Sequence, residues 1–150
     1  MQEKVILTDS MEDYLEAIST LKQDKKYVRV KDIAKQMKVK MPSVTGALRN
    51  LTEKDLVRHE KYEYVELTEQ GIAIAEDIKR RHNLISKFLI KVLDLDPKTA
   101  EKDACGIEHS VSPKTVEQLV KLVECIETCP EGSPGCLMNF RDKIDDEEFI

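Results

Sequence analysis

The apolar positions of this 150-residue chain change their spacing along its length, and the changes mark its elements. In DSMEDYLEAISTL, Tyr14, Ile18 and Leu21 recur at helical spacing, flanked by Met11, Leu15 and Ala17, which predicts a helix that Ser10 can cap. After the polar turn KQDKK, a short extended piece YVRV leads into KDIAKQMKV, where Ile33, Ala34 and Met37 form a second, brief apolar face. Pro42 suits the first turn of a third helix, SVTGALRNLTEK, with Val44, Ala47, Leu48 and Leu51 facing inward. Two short helices about four residues apart have the form of a helix-turn-helix. VRHEKYEYVELT then supplies two strand-like runs around Lys61, a hairpin in the position of a wing.

The second half is helical throughout. Thr68 can cap the long segment EQGIAIAEDIKRRHNLISKFLIKVL, with a broad stripe of Ile72, Ala75, Ile78, Leu84, Ile85, Phe88, Leu89 and Val92. Asp96 with Pro97 closes it and opens PKTAEKDACGIEHSV, read as a helix loosened near Gly106. SPKTVEQLVKLVECIETC is one more, with Val116, Leu119, Val120, Leu122 and Val123 apolar. The closing PGCLMNFRDKIDDEEFI reads as a short helix with an acidic tail and carries no assigned chemistry. The expected fold is mainly α: a winged helix-turn-helix with a small β-hairpin wing over residues 1–70, then an all-helical dimerisation region over 71–150. Halves this small bury little surface alone, so they are expected to dock or dimerise.

Composition adds the class of protein. Apolar residues make up 41% and charged residues 35%, no apolar run reaches the length of a membrane span, and the N-terminus lacks the form of a signal peptide. A cytoplasmic location with no membrane partner is expected, and there the four cysteines would be reduced. The net charge of −5 argues at first against nucleic acid, but its distribution reverses that impression. Lys22 to Lys61 holds twelve Lys/Arg against five Asp/Glu, a balance of +7, whereas residues 1–21 carry −4 and residues 62–150 carry −8. A lysine-rich stretch alone is a solvated surface; on a helix-turn-helix it is a footprint for double-stranded DNA. Ser43, Thr45 and Arg49 are candidates for base edges, beside Pro42, and Lys38, Lys40 and Lys61 are candidates for phosphates. Gly46 leaves a gap where a longer side chain could touch a base, so DNA shape is expected to contribute.

Several residues have metal-ligand chemistry. Asp13 and Glu16, three apart, project from one helix face, although such acids alone commonly offset the helix dipole. Cys105, Glu108 and His109 stand at i, i+3 and i+4, which gathers a thiol, a carboxylate and an imidazole; the alternative is a buried cysteine beside a solvent-facing pair. His82, taken alone, reads as a helix-surface histidine, and His59 as a wing-surface residue. Cys125, Cys129 and Cys136 contain no CxxC pair and read as free thiols rather than a zinc site.

The stretches SMEDYLEAI, VRVKDIAKQMKVKMPSVTGALRNL, LTEQGIAIAEDIKRRHNLISKFL and GIEHSVS resemble, in order and spacing, the diphtheria-toxin-repressor family of iron- and manganese-dependent regulators, over residues 8 to about 125. The resemblance implies metal ligands at Asp13, Glu16, His82, Cys105, Glu108 and His109. In the family's manganese branch the position of Asp13 is also Asp and that of Cys105 is a carboxylate; in the iron branch these are Met and Cys, so this chain mixes the two. Hard oxygen donors suit Mn(II), while a thiolate favours Fe(II), Co(II) and Zn(II). The implied cofactor is Mn(II) or Fe(II), with Zn(II) or Co(II) binding in vitro. Glu101 matches an ancillary ligand position, but Ser86 replaces a carboxylate of that second site. At 150 residues the short form is expected, without the extra C-terminal domain of the longer iron regulators. The resemblance further implies a homodimer on a palindromic operator, repressing metal-uptake genes in metal-replete cells.

Two other functions share parts of this pattern. A metal-independent winged-helix regulator sensing a small molecule would use the first half and leave the ligand constellation a coincidence. A metallohydrolase would use the Glu, His and Cys donors, but the sequence offers it no separate nucleophile or general base.

Overall fold

The computed structural model describes residues 6–60 and 64–128. Its elements, in chain order, are α1 (Asp9–Asp24), α2 (Val30–Met37), α3 (Met41–Glu53), β1 (Val57–Arg58), β2 (Glu66–Leu67), α4 (Glu69–Lys91), α5 (Pro97–Ile107) and α6 (Pro113–Thr128). The fold is mainly α, with a winged helix-turn-helix at its N-terminal end. Two compact units divide it, residues 1–79 and 80–150, with the division inside α4. No described helix is long and apolar enough to cross a membrane.

In the first unit, helical spacing places Leu15 and Ile18 of α1, Ile33 of α2 and Val44, Leu48 and Leu51 of α3 in one core, with Leu56, Val57 and Val65 closing it from the wing. Removing each such side chain from water contributes about 1.5–3 kcal/mol, which outweighs the weak propensity of an eight-residue helix such as α2. The cap of α1 is Thr8, whose hydroxyl accepts the Met11 N–H at 3.3 Å, rather than Ser10, which lies one residue inside the helix. YVRV is not a strand of its own: Val28 makes a single antiparallel bridge to Val65, and α2 already begins at Val30. The Lys25 ammonium, 2.6 Å from Asp32, holds that carboxyl below its ordinary range.

The turn of the helix-turn-helix is made by Lys38, in the left-handed region at φ 56°, where the Val39 N–H reaches back to Ala34 O at 3.0 Å. Lys40 then caps α3, with Pro42 in its first turn, where a missing N–H costs nothing. The wing is short. Val57 pairs with Leu67 and Arg58 with Glu66 in an antiparallel ladder. Thr68 closes the wing and opens α4: its hydroxyl accepts the Gly71 N–H at 3.0 Å and donates to Asp55 O at 2.7 Å.

In the second unit, Ile85 and Leu89 of α4 pack on Ala100 and Ala104 of α5, with Phe88, Leu95, Val111 and Leu119 around them. The two alanines, both fully buried, leave room for α4 and α5 to approach closely. Asp96 caps α5 by accepting the Thr99 N–H at 3.0 Å, and Ser112 caps α6 by accepting that of Thr115 at 3.2 Å. Helix α5 runs through Gly106 without interruption and ends at Ile107, one residue before Glu108. The apolar stripes are narrower than the sequence implies, because Ile72 and Leu122 are exposed while Ile126 is buried. The acidic C-terminal segment lies outside the described residues.

One close approach locks α4 to the wing. A Cβ on Gly71 would stand 2.1 Å from the Leu56 carbonyl oxygen, a backbone atom that cannot swing aside, whereas one on Gly46 would meet nothing within 4 Å. Gly71→Ala should therefore destabilise the first unit by about 1–3 kcal/mol through overpacking. Gly46→Ala should stabilise it by about 0.5–1 kcal/mol through helix propensity. Urea unfolding of the two variants beside the parent checks both signs.

Candidate metal centre

The second unit gathers polar side chains at one place. His82 shares the face of α4 that carries Ile78, Ile85 and Leu89, and it is buried, contrary to the surface position expected of a lone histidine. Glu101 and Cys105 stand four apart on α5, and Glu108, the C-cap residue, follows three later, so all three lie along one face. Glu108 is fully buried at 0% exposure, an unusual place for a carboxylate.

Its surroundings account for this. Glu108 Oε2 lies 2.6 Å from His82 Nδ1, and Oε1 lies 3.4 Å from His109 Nε2. The other His82 nitrogen, Nε2, is 2.9 Å from Glu101 Oε1, and Cys105 Sγ is 3.8 Å from His82 Nδ1. The Glu108 backbone is fixed as well, because Arg81 Nη1 donates to its carbonyl oxygen at 2.9 Å. Burial by itself disfavours the charged His82 ring, but hydrogen bonding to Glu101 and the charge and hydrogen bond of Glu108 outweigh it, so its pKa lies above the ordinary histidine value. With a carboxylate at each ring nitrogen, the imidazolium form satisfies both contacts at once.

The ligand atoms of His82, Cys105 and Glu108 lie within 4.8 Å of one another. Donors bound at about 2.0–2.3 Å to one ion are at most ~4.6 Å apart, so these atoms need only rotamer-scale adjustment to share one. The donor set of imidazole, thiol and carboxylate, around a buried anion that requires a cation, fits a divalent transition metal. Glu101 adjoins this cluster through His82, and His109 adjoins it through Glu108.

Asp13 and Glu16 belong to the first unit, both half-buried and one turn apart on α1. In that unit Pro42, Ser43, Thr45 and Arg49 are exposed on α3, and Lys38 and Lys40 are exposed in the turn before it. The α3 face opposite Val44, Leu48 and Leu51 is thus an uncovered polar surface that includes Gly46. Lys61, Cys129 and Cys136 lie outside the described residues, whereas Cys125 is an exposed thiol on α6. Two features of the site are absent from the sequence-based expectations: the role of Arg81 and the burial of His82. The helical spacing of His82 with Ile78 and Ile85 was the available signal for the second; nothing local signalled the first.

Comparison with known proteins agrees with this division of labour. Residues 6–65 match the N-terminal DNA-binding domain of the iron-dependent repressors, and residues 68–137 match the metal-binding and dimerisation domain of the same family. The chain is 35% identical over 119 residues, 79% of its length and 95% of the relative's, to an uncharacterised HTH-type transcriptional regulator of Methanocaldococcus jannaschii. It is 38% identical over 117 residues to the HTH-type transcriptional regulator MntR of Shouchella clausii, covering 78% of this chain and 81% of that one. Among solved structures, the manganese regulator SloR is similar with a TM-score of 0.70 at 33% identity, over 83% of this chain. This chain spans little more than half of that regulator, 58% of its length. Matched in both halves by consecutive domains of one family, the chain belongs to the iron-dependent repressors, a family of metal-dependent transcriptional regulators.

Proposed function

We propose that this chain is a metal-activated repressor of manganese- or iron-uptake genes, with Mn(II) or Fe(II) as its co-repressor. The observation that carries the reading is the buried carboxylate of Glu108, set among His82, Cys105 and His109 in the half of the chain that matches the metal-binding domain. A divalent cation bound there would supply the positive charge that Glu108 requires. His82, Cys105, Glu108 and His109 are its proposed ligands in residues 71–150. By the family resemblance, Asp13 and Glu16 of the DNA-binding half, residues 1–70, complete the set, and Glu101 serves an ancillary position. Cys105 Sγ biases the site toward Fe(II), Zn(II) and Co(II), and the carboxylates toward Mn(II).

Ligands drawn from both halves let metal occupancy select a DNA-competent arrangement of a homodimer in the cytoplasm. Its two α3 helices must sit about 34 Å apart, one duplex turn, to enter adjacent major grooves of a palindromic operator. A differential of about 1.4 kcal/mol between arrangements changes occupancy tenfold, so a few kcal/mol suffices for a switch. Catalysis forms no part of this role.

Anaerobic fluorescence anisotropy on the chain's own upstream DNA and on a random duplex pool, with chelator and then Mn(II), Fe(II) or Zn(II), tests the reading. Sequence-selective binding should appear only with metal; equal binding in chelator would make the protein a metal-independent regulator. Glu108→Gln, which keeps the volume and removes the charge of a direct ligand, should lower metal affinity by at least about 100-fold, the upper end of the loss seen for residues that only orient ligands, and abolish the metal response of DNA binding. His109→Ala should likewise abolish the metal response of DNA binding, and an undiminished response in both variants would refute the site.

Protons compete at the same place. Because the folded His82 pKa is raised, its charged form stabilises the metal-free protein fully below about pH 6.5, and this contribution is lost as pH rises through the raised value. Metal binding releases this proton and that of the Cys105 thiol, so metal affinity should rise by more than about tenfold per pH unit below that value and keep rising above it while the thiol still carries its proton. Isothermal titration in buffers of different ionisation enthalpy reads both the slope and the protons released.

A further inference from the structure

One aromatic pair of the first unit lies outside its core. Tyr27 and Tyr64 stack with ring centroids 4.2 Å apart and planes 20° from parallel. Both rings remain open to solvent, at 47% and 39% exposure. Tyr27 lies in the connection between α1 and α2, and Tyr64 directly precedes Val65, whose N–H donates to Val28 O at 2.9 Å. The stack and this bridge together pin the returning arm of the wing to the loop that enters the helix-turn-helix.

Cations surround the pair. Lys26 Nζ lies over the Tyr27 ring at 5.3 Å from its centroid, and the Arg29 guanidinium carbon lies over the Tyr64 ring at 5.3 Å. Arg29 Nη2 also donates to the Tyr64 hydroxyl at 3.5 Å. The run from Lys25 to Lys31 holds four cations and no acid. The acid that follows, Asp32, is taken up by Lys25 at 2.6 Å and by the Arg29 backbone N–H at 3.0 Å. Stacking orders the Tyr64 ring, and the guanidinium that lies over that ring and bonds its hydroxyl is thereby placed ahead of any ligand. A fixed planar fork with a phenolic hydroxyl beside it matches phosphate oxygens, and the unit that carries it matches a DNA-binding domain.

We propose that Tyr27, Arg29 and Tyr64, with Lys26, form a DNA contact separate from α3, gripping the phosphodiester backbone at the base of the wing. The proposal rests on the DNA-binding reading above and adds to it a positioning contact that is blind to base sequence. Its occupant is the duplex backbone, since the net positive run selects for phosphate.

The test is anisotropy titration of the full chain with Mn(II) on operator and random duplexes across a range of salt. Arg29→Gln should weaken both duplexes alike, by about tenfold, and reduce the slope of log K against log salt by about one. Tyr64→Phe, which keeps the stack but removes the hydroxyl, should weaken both by about threefold, as the loss of one hydrogen bond implies. Circular dichroism and metal affinity should match the parent for each variant. Unchanged affinity and slope in both variants, with a parent that binds, would overturn the contact while leaving the regulator reading intact, and would make an acidic protein surface the occupant. A parent that binds no duplex at any metal level would overturn both.

Discussion

The second unit depends on where the Glu108 carboxylate has been put. A fully buried carboxylate is costly unless it is paired, and the fold meets that cost with His82, His109 and the anchoring of its backbone by Arg81. The contacts from His82 and Arg81 need α4 and α5 in fixed register. Ala100 and Ala104 permit the close packing, Ile85 and Leu89 fill it, and the Asp96 cap sets where α5 begins. The carboxylates of Glu101 and Glu108 raise the His82 pKa, so a proton on that ring offsets their charge more readily than on a free imidazole.

The first unit is organised by a different constraint, the close approach of α4 to Leu56 at Gly71 and the Thr68 hydroxyl bridging Asp55 and Gly71. These fix the wing relative to the start of α4, while the Lys38 turn fixes α3 relative to α2. Both leave the outer face of α3 exposed, with Pro42, Ser43, Thr45 and Arg49 uncovered by any described residue. The Tyr27–Tyr64 stack extends the same logic to the wing, using an aromatic contact where a two-residue strand offers little backbone pairing.

Much of this was legible in the sequence. Apolar spacing located the described helices, because α1 and α3 each bury one stripe, and Thr68 and Asp96 with Pro97 marked two helix starts. The i, i+3 spacing of Cys105 and Glu108 by itself puts two donors on one helix face, where the structure groups them with His82. Other features were not legible, for physical reasons. Thr8 and Ser10 offer the same capping chemistry, and only the chain's path distinguishes them. Gly106 looks like a helix breaker, yet one glycine costs about 1 kcal/mol and packing at Ala100 and Ala104 covers it. His82 sits on an apolar stripe, but its partner Glu108 is 26 residues away, and such a pairing leaves no local trace. The Tyr27–Tyr64 pair, 37 residues apart by number, is hidden for the same reason.

The central claim is that His82, Cys105 and Glu108 share one metal ion, and anaerobic Co(II) titration followed by absorbance tests it most directly. A thiolate-to-cobalt charge-transfer band should grow with Co(II), vanish in Cys105→Ser, and weaken sharply in Glu108→Gln. Cobalt that binds without that band, or a band that survives Cys105→Ser, would contradict the site.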